Sequence, residues 1–246
     1  MLTDRTILIT GAAGGLGREI ALTCARQGAS LILSDFDHEG LERTRDAVAT
    51  LGADARCEPL DLSDPAAIAA FGARIEGPLH GLINNGAIAT GIGGIPFDGI
   101  DIDVWDKVMA VNVRGTWLMI RAMAGNLAAS GSGRIVNLAS DTALWGAPNL
   151  LAYTASKGAV MSMTRSLSRE LGPKRIGVTT VAPGILTTPS TDYVPRARHD
   201  LYETGRAVPG PVAAGEVTET IAFLVSEGAL TLTGQTLPVN HGFVFN

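Results

Sequence analysis

Thr6-Ile7-Leu8-Ile9-Thr10-Gly11-Ala12-Ala13-Gly14-Gly15-Leu16-Gly17 carries a short apolar run directly into a glycine cluster, and the amphipathic stretch 16–27 begins inside that cluster. The spacing predicts strand, tight turn and helix in succession. Glycine lets the backbone turn sharply and lets a ligand approach the main chain, while free N–H groups and the dipole at a helix N-terminus favour a phosphate. By itself a glycine-rich turn is a weak motif and equally fits a turn that binds nothing. Its place in the first strand, turn and helix of the chain favours a dinucleotide cradle built on Gly11, Gly15, Leu16 and Gly17.

The same alternation repeats outward from this unit. Strands are expected at 6–10, 31–34, 55–60, 81–84, 134–139 and 178–182, and helices at 16–27, 38–51, 65–75, 104–127 and 150–171. Strands that are apolar at nearly every position, each followed by a helix, imply a parallel sheet covered on both faces. The expected fold is therefore α/β: one Rossmann-type domain over residues 1–246, a doubly wound parallel sheet of about seven strands with helices on both faces. Asp64 before Pro65 can cap a helix start, and Gly172-Pro173 can close the helix that begins near Leu150. Two irregular stretches, 87–103 and 184–211, follow strand C-terminal ends, the edge at which open α/β sheets bind ligands.

Composition bounds the function classes. A chain of 246 residues with 46% hydrophobic content can bury roughly 70–75% of its unfolded surface in one core. The net charge is −5 with no run of Lys and Arg, which argues against nucleic-acid or anionic-membrane partners. Arg196-Ala197-Arg198-His199 is expected to be a solvated loop. Cys24 and Cys57 are too few for a disulfide framework, lack metal-ligand spacing, and are expected to be small core residues. No metal site is expected. The opening Met1-Leu2-Thr3-Asp4-Arg5 lacks a signal-peptide pattern and no stretch of about 18 apolar residues follows, so the expectation is a soluble cytoplasmic protein.

Asp35 ends the second expected strand, 18 residues beyond Gly17. A carboxylate there can accept hydrogen bonds from both adenosine ribose hydroxyls, and its charge repels a 2′-phosphate. No Arg or Lys occupies 34–37 or the glycine turn, so the expected cofactor is NAD, with NADP less favoured. Tyr153-Thr154-Ala155-Ser156-Lys157 places a phenol and an ammonium four apart on one helix face. A free phenol titrates near about 10, and a neighbouring cation favours its ionised form. Alone, this pair is more often a packing tyrosine beside an exposed lysine.

With these residues together, the sequence resembles the short-chain dehydrogenase/reductase family over essentially the whole chain. The family's Thr-Gly-x-x-x-Gly-x-Gly motif matches Thr10, Gly11, Gly15 and Gly17. Its adenine-contacting aspartate falls on Asp61, which alone would be a turn residue. The resemblance extends the expected cofactor contacts to Phe36, Leu62, Asn85, Gly86, Pro183, Gly184 and Thr188, the last as a hydroxyl near the nicotinamide carboxamide. The fourth strand ends Asn84-Asn85-Gly86-Ala87, where the family usually has Asn-Asn-Ala-Gly; glycine at 86 frees the backbone, whereas Ala87 resists a positive φ. Ser140, 13 residues before Tyr153, matches the substrate-orienting serine, and Asn112 matches a fourth catalytic member.

The resemblance implies hydride transfer between a nicotinamide and a carbinol carbon, coupled to proton transfer through Tyr153. Lys157 would lower the tyrosine's pKa and hold the nicotinamide ribose, Ser140 would hydrogen-bond the substrate oxygen, and Asn112 would anchor a proton-relaying water. Thr142, Trp145, Asn149, Leu150, Leu186 and Tyr193 are the expected substrate-pocket residues, mostly apolar or aromatic with no Arg or Lys among them. The expected substrate is a mostly uncharged secondary alcohol or ketone, with aromatic and cyclic ones among the candidates. His241 stands where the family has glycine and is expected at the surface or an interface, and Phe243-Val244-Phe245 is expected to pack at a subunit contact of a homotetramer. An NADPH-dependent acyl-chain ketone reductase is opposed by Asp35. A non-catalytic nucleotide sensor would lack Ser140, Tyr153 or Lys157, and a methyltransferase gives no reason for that constellation.

Overall fold

The computed structural model describes residues 1–188 and 191–246. In chain order the elements are β1 (Thr6–Thr10), α1 (Gly15–Arg26), β2 (Ser30–Asp35), α2 (His38–Ala49), β3 (Ala55–Pro59), α3 (Pro65–Arg74) and β4 (Gly81–Asn84). There follow α4 (Ile102–Met109), a π-helical segment (Ala110–Gly115), α5 (Thr116–Ala129), β5 (Arg134–Leu138), the short α6 (Thr142–Trp145) and α7 (Leu151–Leu171). The chain then forms β6 (Gly177–Pro183), α8 (Arg196–Gly205), α9 (Ala214–Leu224) and β7 (Thr236–Val239). The strands pair in parallel in the order β3-β2-β1-β4-β5-β6-β7.

Side-chain alternation along the strands explains the two helical layers. Ile7, Ile9, Leu31, Leu33, Ile83, Val136 and Val181 pack with Ile20 of α1, Leu41 of α2 and Ile221 of α9. Leu8, Ile32, Leu82, Ile135 and Val178 point the other way, onto Ile68 and Phe71 of α3 and Met119 and Met123 of α5. Each interior strand is apolar on both faces because each face is covered. Asp64 caps α3 by accepting from the Ala66 and Ala67 amides, with Pro65 at the first helical position. Cys24 is buried as expected, but Cys57 lies on the edge strand β3 and is only partly covered.

Two local expectations need correction. The single helix expected at 104–127 is three successive helical pieces, with a π segment where Asn112 lies; such segments occur mostly as single turns inserted in α-helices. Gly115 closes this segment against β3's following turn: a Cβ there would stand 2.6 Å from the Leu62 carbonyl oxygen. The stretch 184–211 is not irregular throughout, since Arg196, Arg198 and His199 sit on α8, where Arg196 pairs with Asp200 and Glu203. Within the C-terminal segment, Phe243 stacks on Tyr202 of the same chain with ring centres 4.1 Å apart. Phe245 remains exposed.

A buried polar ladder crosses the sheet and locates α7. Asn84 Nδ2 donates to Asn137 Oδ1 (2.8 Å), Asn137 Nδ2 donates to Thr164 Oγ1 (2.9 Å), and the Thr180 hydroxyl donates to the same Thr164 oxygen (2.7 Å). Helix α7 is thereby fixed over β4, β5 and β6, which sets the height of Tyr153 and Lys157 above the strand ends. No helix among the described residues is long and apolar enough to cross a membrane.

Candidate active site

The sheet order reverses direction between β1 and β4, and the expected cofactor residues gather at the strand C-terminal ends around that crevice. Gly11 and Gly15 adopt positive φ (67° and 50°), which only glycine takes without penalty. Gly17 serves close approach instead, because a Cβ there would stand 1.9 Å from the Gly11 oxygen. Asn85 locks the turn to β4: its Nδ2 donates to the Thr10 and Gly11 carbonyls (3.1 and 3.0 Å). The Thr10 hydroxyl oxygen accepts from the Asn85 and Gly86 amides (3.1 and 3.0 Å).

This cradle fits a dinucleotide phosphate. No described side chain caps the N-terminus of α1, no acidic residue lies in its first turn, and a Cβ added at Gly14 would meet nothing within 4 Å. The helix therefore presents free amides and its positive dipole end to open space. Asp35 borders the same cradle, its Oδ2 accepting from the Ala13 amide and its Oδ1 from the Asp37 amide (both 3.1 Å). Carboxylate oxygens have about four lone-pair sites between them, so capacity remains for ribose hydroxyls. Phe36 beside it is 83% exposed. Asp61 Oδ1 accepts from the Ser63 amide (2.8 Å) in the turn after β3, and Leu62 lies against Gly86.

Neither Gly86 nor Ala87 has positive φ. The reversed Gly86-Ala87 pair thus does not depend on left-handed backbone. It depends on space: a Cβ at position 86 would stand 2.7 Å from Leu62 Cδ1. Past it, Asn112 holds the loop backbone, accepting from the Ile88 amide (2.7 Å) and donating to the Ile88 carbonyl (3.0 Å) and Ser156 Oγ (3.1 Å).

Ser140, Tyr153 and Lys157 meet beyond the end of β5. Ser140 Oγ accepts from the Thr142 hydroxyl (2.9 Å) and the Thr142 amide (3.3 Å), so its own hydrogen remains for another acceptor. Tyr153 is partly exposed as a residue, yet its hydroxyl end is buried, and burial pushes the phenol up to about 12. Hydrogen bonding to Ser140 pulls that value down, while the charges of Asp141 and Tyr193 push it up. Lys157 is 4% exposed; its Nζ donates to the Leu138 carbonyl (2.7 Å) and stands 5.4 Å from the centre of the Tyr153 ring. Burial pushes this ammonium down to about 8.

The expected pocket residues divide. Thr142 is buried with its hydroxyl on Ser140, and Leu186 is buried in the core beside Val212 and Ala214. Asn149, in left-handed backbone, and Leu150 touch the loop after β4 through Gly94 and Gly93. Tyr193 reaches over from the other side, its hydroxyl donating to the Ala89 carbonyl (2.7 Å). Pro183 ends β6, Gly184 packs on Asp141, Asn240 and Tyr202, and the Thr188 amide donates to the Thr191 hydroxyl. Trp145 Nε1 donates to the Tyr202 hydroxyl (3.0 Å), and the Arg198 guanidinium lies 5.2 Å from the Trp145 ring centre. A cation therefore borders a wall for which none was expected.

Sequence reasoning missed Asp141, Tyr202 and Asn240. Asp141 is fully buried one residue after Ser140, accepting from the Tyr202 hydroxyl (2.7 Å) and Asn240 Nδ2 (3.1 Å). Burial raises its carboxyl to about 6, against the opposing pull of those two hydrogen bonds and of Arg206. The available signal was an acid placed directly after an apolar strand. His241 takes the left-handed φ of 57° at the position where glycine was expected, and its Nε2 lies 3.2 Å from Glu216. Among the described residues no group of His, Cys, Asp and Glu could hold a metal ion.

Comparison with known proteins agrees with this architecture. A family model described as enoyl-(acyl carrier protein) reductase matches residues 11–244. The chain is 33% identical to 2-(S)-hydroxypropyl-CoM dehydrogenase 3 of Xanthobacter autotrophicus, over 98% of this chain and 97% of that one. It is 32% identical to cyclopentanol dehydrogenase of a Comamonas species, covering 100% and 99%. Among solved structures, levodione reductase superposes with a TM-score of 0.90 at 30% identity, covering 98% of each chain. A putative NAD(P)-dependent gluconate 5-dehydrogenase from Beutenbergia cavernae, solved with bound NADP at low occupancy, also gives 0.90 at 30% identity over 98% and 97%. The chain belongs to the short-chain dehydrogenase/reductase family.

Proposed function

We propose that this protein interconverts a secondary alcohol and its ketone, prefers NAD, and uses Tyr153 as the proton donor and acceptor. As a member of its family it is an oxidoreductase acting on CH–OH groups. The observation that carries the finer reading is the convergence of Ser140, Tyr153 and Lys157 at the same sheet edge as an open, uncapped helix N-terminus. The nicotinamide ring, when bound, supplies the hydride acceptor or donor. The chain's own residues handle the oxygen and its proton.

Ser140, which accepts two hydrogen bonds from Thr142 and is hydrogen-bonded to Tyr153, turns its hydrogen to the substrate oxygen when substrate binds and stabilises negative charge developing there. Tyr153 in its protonated form gives its proton to that oxygen in the reduction direction; in oxidation the phenolate takes the proton from the alcohol. The charged Lys157 favours that phenolate. With one Nζ hydrogen on Leu138, two remain to hold ribose hydroxyls. Asn112, whose side chain is committed to Ile88 and Ser156, holds the loop edge that faces these groups.

NAD preference rests on Asp35, whose carboxylate at the end of β2 opposes a 2′-phosphate. Gly11, Gly15, Gly17, Asp61, Leu62, Asn85, Gly86, Pro183, Gly184 and Thr188 complete the proposed cofactor contacts. An uncharged cyclic or aromatic substrate is favoured by the Trp145, Leu150 and Tyr193 wall, the Arg198 guanidinium being engaged by the Trp145 ring and the Pro148 carbonyl. The same reading takes the protein as a cytoplasmic homotetramer paired through α5 and α7, where Trp117 and Leu151 are exposed. The test is to incubate the purified protein with NAD or NADP and a panel of cyclic, aromatic and carboxylated secondary alcohols, following reduced-nicotinamide absorbance. A parallel arm offers reduced cofactor with an enoyl thioester. NAD-dependent oxidation of uncharged alcohols is expected; turnover with NADP alone, or of the enoyl thioester alone, contradicts the proposal.

A further inference from the structure

We propose that Asp141 is a positioning residue that, through Tyr202 and Asn240, clamps helix α8 and the C-terminal segment onto the end of β5 and so fixes the Trp145 wall beside Ser140. The inference rests on the reading of Ser140 as a substrate-binding group.

A fully buried carboxylate is rare unless its charge is compensated, since removing it from water costs several kcal/mol. Among the described residues no cation is in hydrogen-bond contact with Asp141: the Arg206 guanidinium donates instead to the Gly210 and Ile185 carbonyls. Beside the nearby charge of Arg206 and the Thr142 amide, its compensation comes from two neutral side-chain donors, each on a different segment. Tyr202 belongs to α8, and Asn240 follows β7. The Asp141 amide donates to the Pro183 carbonyl (3.0 Å), tying in the end of β6. Gly184 closes on the carboxylate from the same strand end, where a Cβ would stand 2.9 Å from Asp141 Oδ2.

The two donors carry the constraint outward. Tyr202 hydroxyl accepts from Trp145 Nε1, and its ring stacks on Phe243 and meets Trp145 edge-on. Asn240 Oδ1 accepts from the Gly242 and Phe243 amides (3.1 and 3.3 Å), so the carboxylate orders the segment that supplies Phe243. Asp141, Tyr202 and Asn240 are all buried and hydrogen-bonded together through the carboxylate. Being buried, the group acts on a substrate through the placement of Trp145 and α8.

Tyr202→Phe tests the relay with the least disturbance, because the ring that stacks on Phe243 stays. Deuterium exchange of the whole protein is compared with KM and kcat for the best secondary alcohol of the panel. We expect amides of 196–205 and 241–244 to exchange at least tenfold faster while β1 and α1 are unchanged. KM for the alcohol should rise tenfold or more, with kcat within threefold and KM for NAD unaltered. Asp141→Asn, which sets an amide against Asn240 Nδ2, should give the same regional pattern. Uniform acceleration along the chain, or unchanged exchange in 196–205 in both variants, would overturn the clamp. So would a loss confined to kcat. Absence of alcohol turnover in the unaltered protein would instead refute the proposed reaction, leaving the exchange result to decide the clamp.

Discussion

Lys157 Nζ and the Leu138 carbonyl are joined by a 2.7 Å hydrogen bond at the end of β5, two residues before Ser140. The bond holds an ammonium in a site where burial pushes it down to about 8. With its folded value below the ordinary 10.5, the folded protein binds fewer protons than the unfolded chain between those limits, so this group makes stability rise with pH there. The chain has three lysines, Lys107, Lys157 and Lys174. Carbon-13 lysine resonances of the coenzyme-free protein should include one, missing in Lys157→Arg, that titrates near 8. A midpoint above 10 would contradict the burial argument.

Asp35 both borders the cradle and holds the Ala13 amide. Asp35→Ala should therefore weaken both nicotinamide cofactors somewhat, but NAD far more. The ratio of kcat/KM for NAD over NADP cancels the shared loss and should fall at least tenfold. An unchanged ratio removes Asp35 from the ribose.

At Gly17 the helix has no room for a methyl, the nearest atom being a backbone oxygen, so Gly17→Ala should lower stability by about 1–3 kcal/mol as overpacking does. Better helix propensity offsets at most about 1 kcal/mol of that. Gly14→Ala, facing open space at an extended φ of −169°, should leave the thermal midpoint unchanged. Equal melting of both variants would show that the close approach of Gly17 to Gly11 does not govern the turn.

Asp141 gives an opposite pH signature to Lys157. Its folded value of about 6 exceeds the ordinary 3.8, so between those limits the folded protein binds more protons and stability falls as pH rises. The full effect is about 3 kcal/mol, at about 1.4 kcal/mol for each tenfold change in proton affinity. In Asp141→Asn, denaturant stability measured from pH 4 to 7 should lack this falling component whatever constant offset the substitution adds. Identical slopes in the two proteins would count against a charged, buried Asp141 at neutral pH.

Much of this arrangement was legible because it is local along the chain. The glycines from Gly11 to Gly17, Asp35 at a strand end and the 153–157 helix face each depend on residues within one turn of one another, and the apolar strands announced their burial on both faces. The Asp141–Tyr202 and Asp141–Asn240 bonds span 61 and 99 positions and leave no periodic trace. Arg196 and its neighbours were hidden by a helix that is polar and preceded by Pro195, whose surface ion pairs rather than an apolar stripe were the main clue. The π segment around Asn112 was invisible for a different reason: one wider turn scarcely changes the spacing of apolar residues, and the close approach of Gly115 to Leu62 at its end is a contact between distant segments.

The phenol of Tyr153 is the centre of the account, and replacing it with Phe removes one oxygen while leaving the ring in place. Stopped assays of Tyr153→Phe, run alongside calorimetric titration with NAD, test this directly. The account predicts NAD affinity and thermal midpoint close to those of the unaltered protein, with turnover of the alcohol lower by a factor of at least about 100, the low end of what a positioned acid or base contributes. Turnover within a few-fold of normal, with NAD still bound, would contradict it.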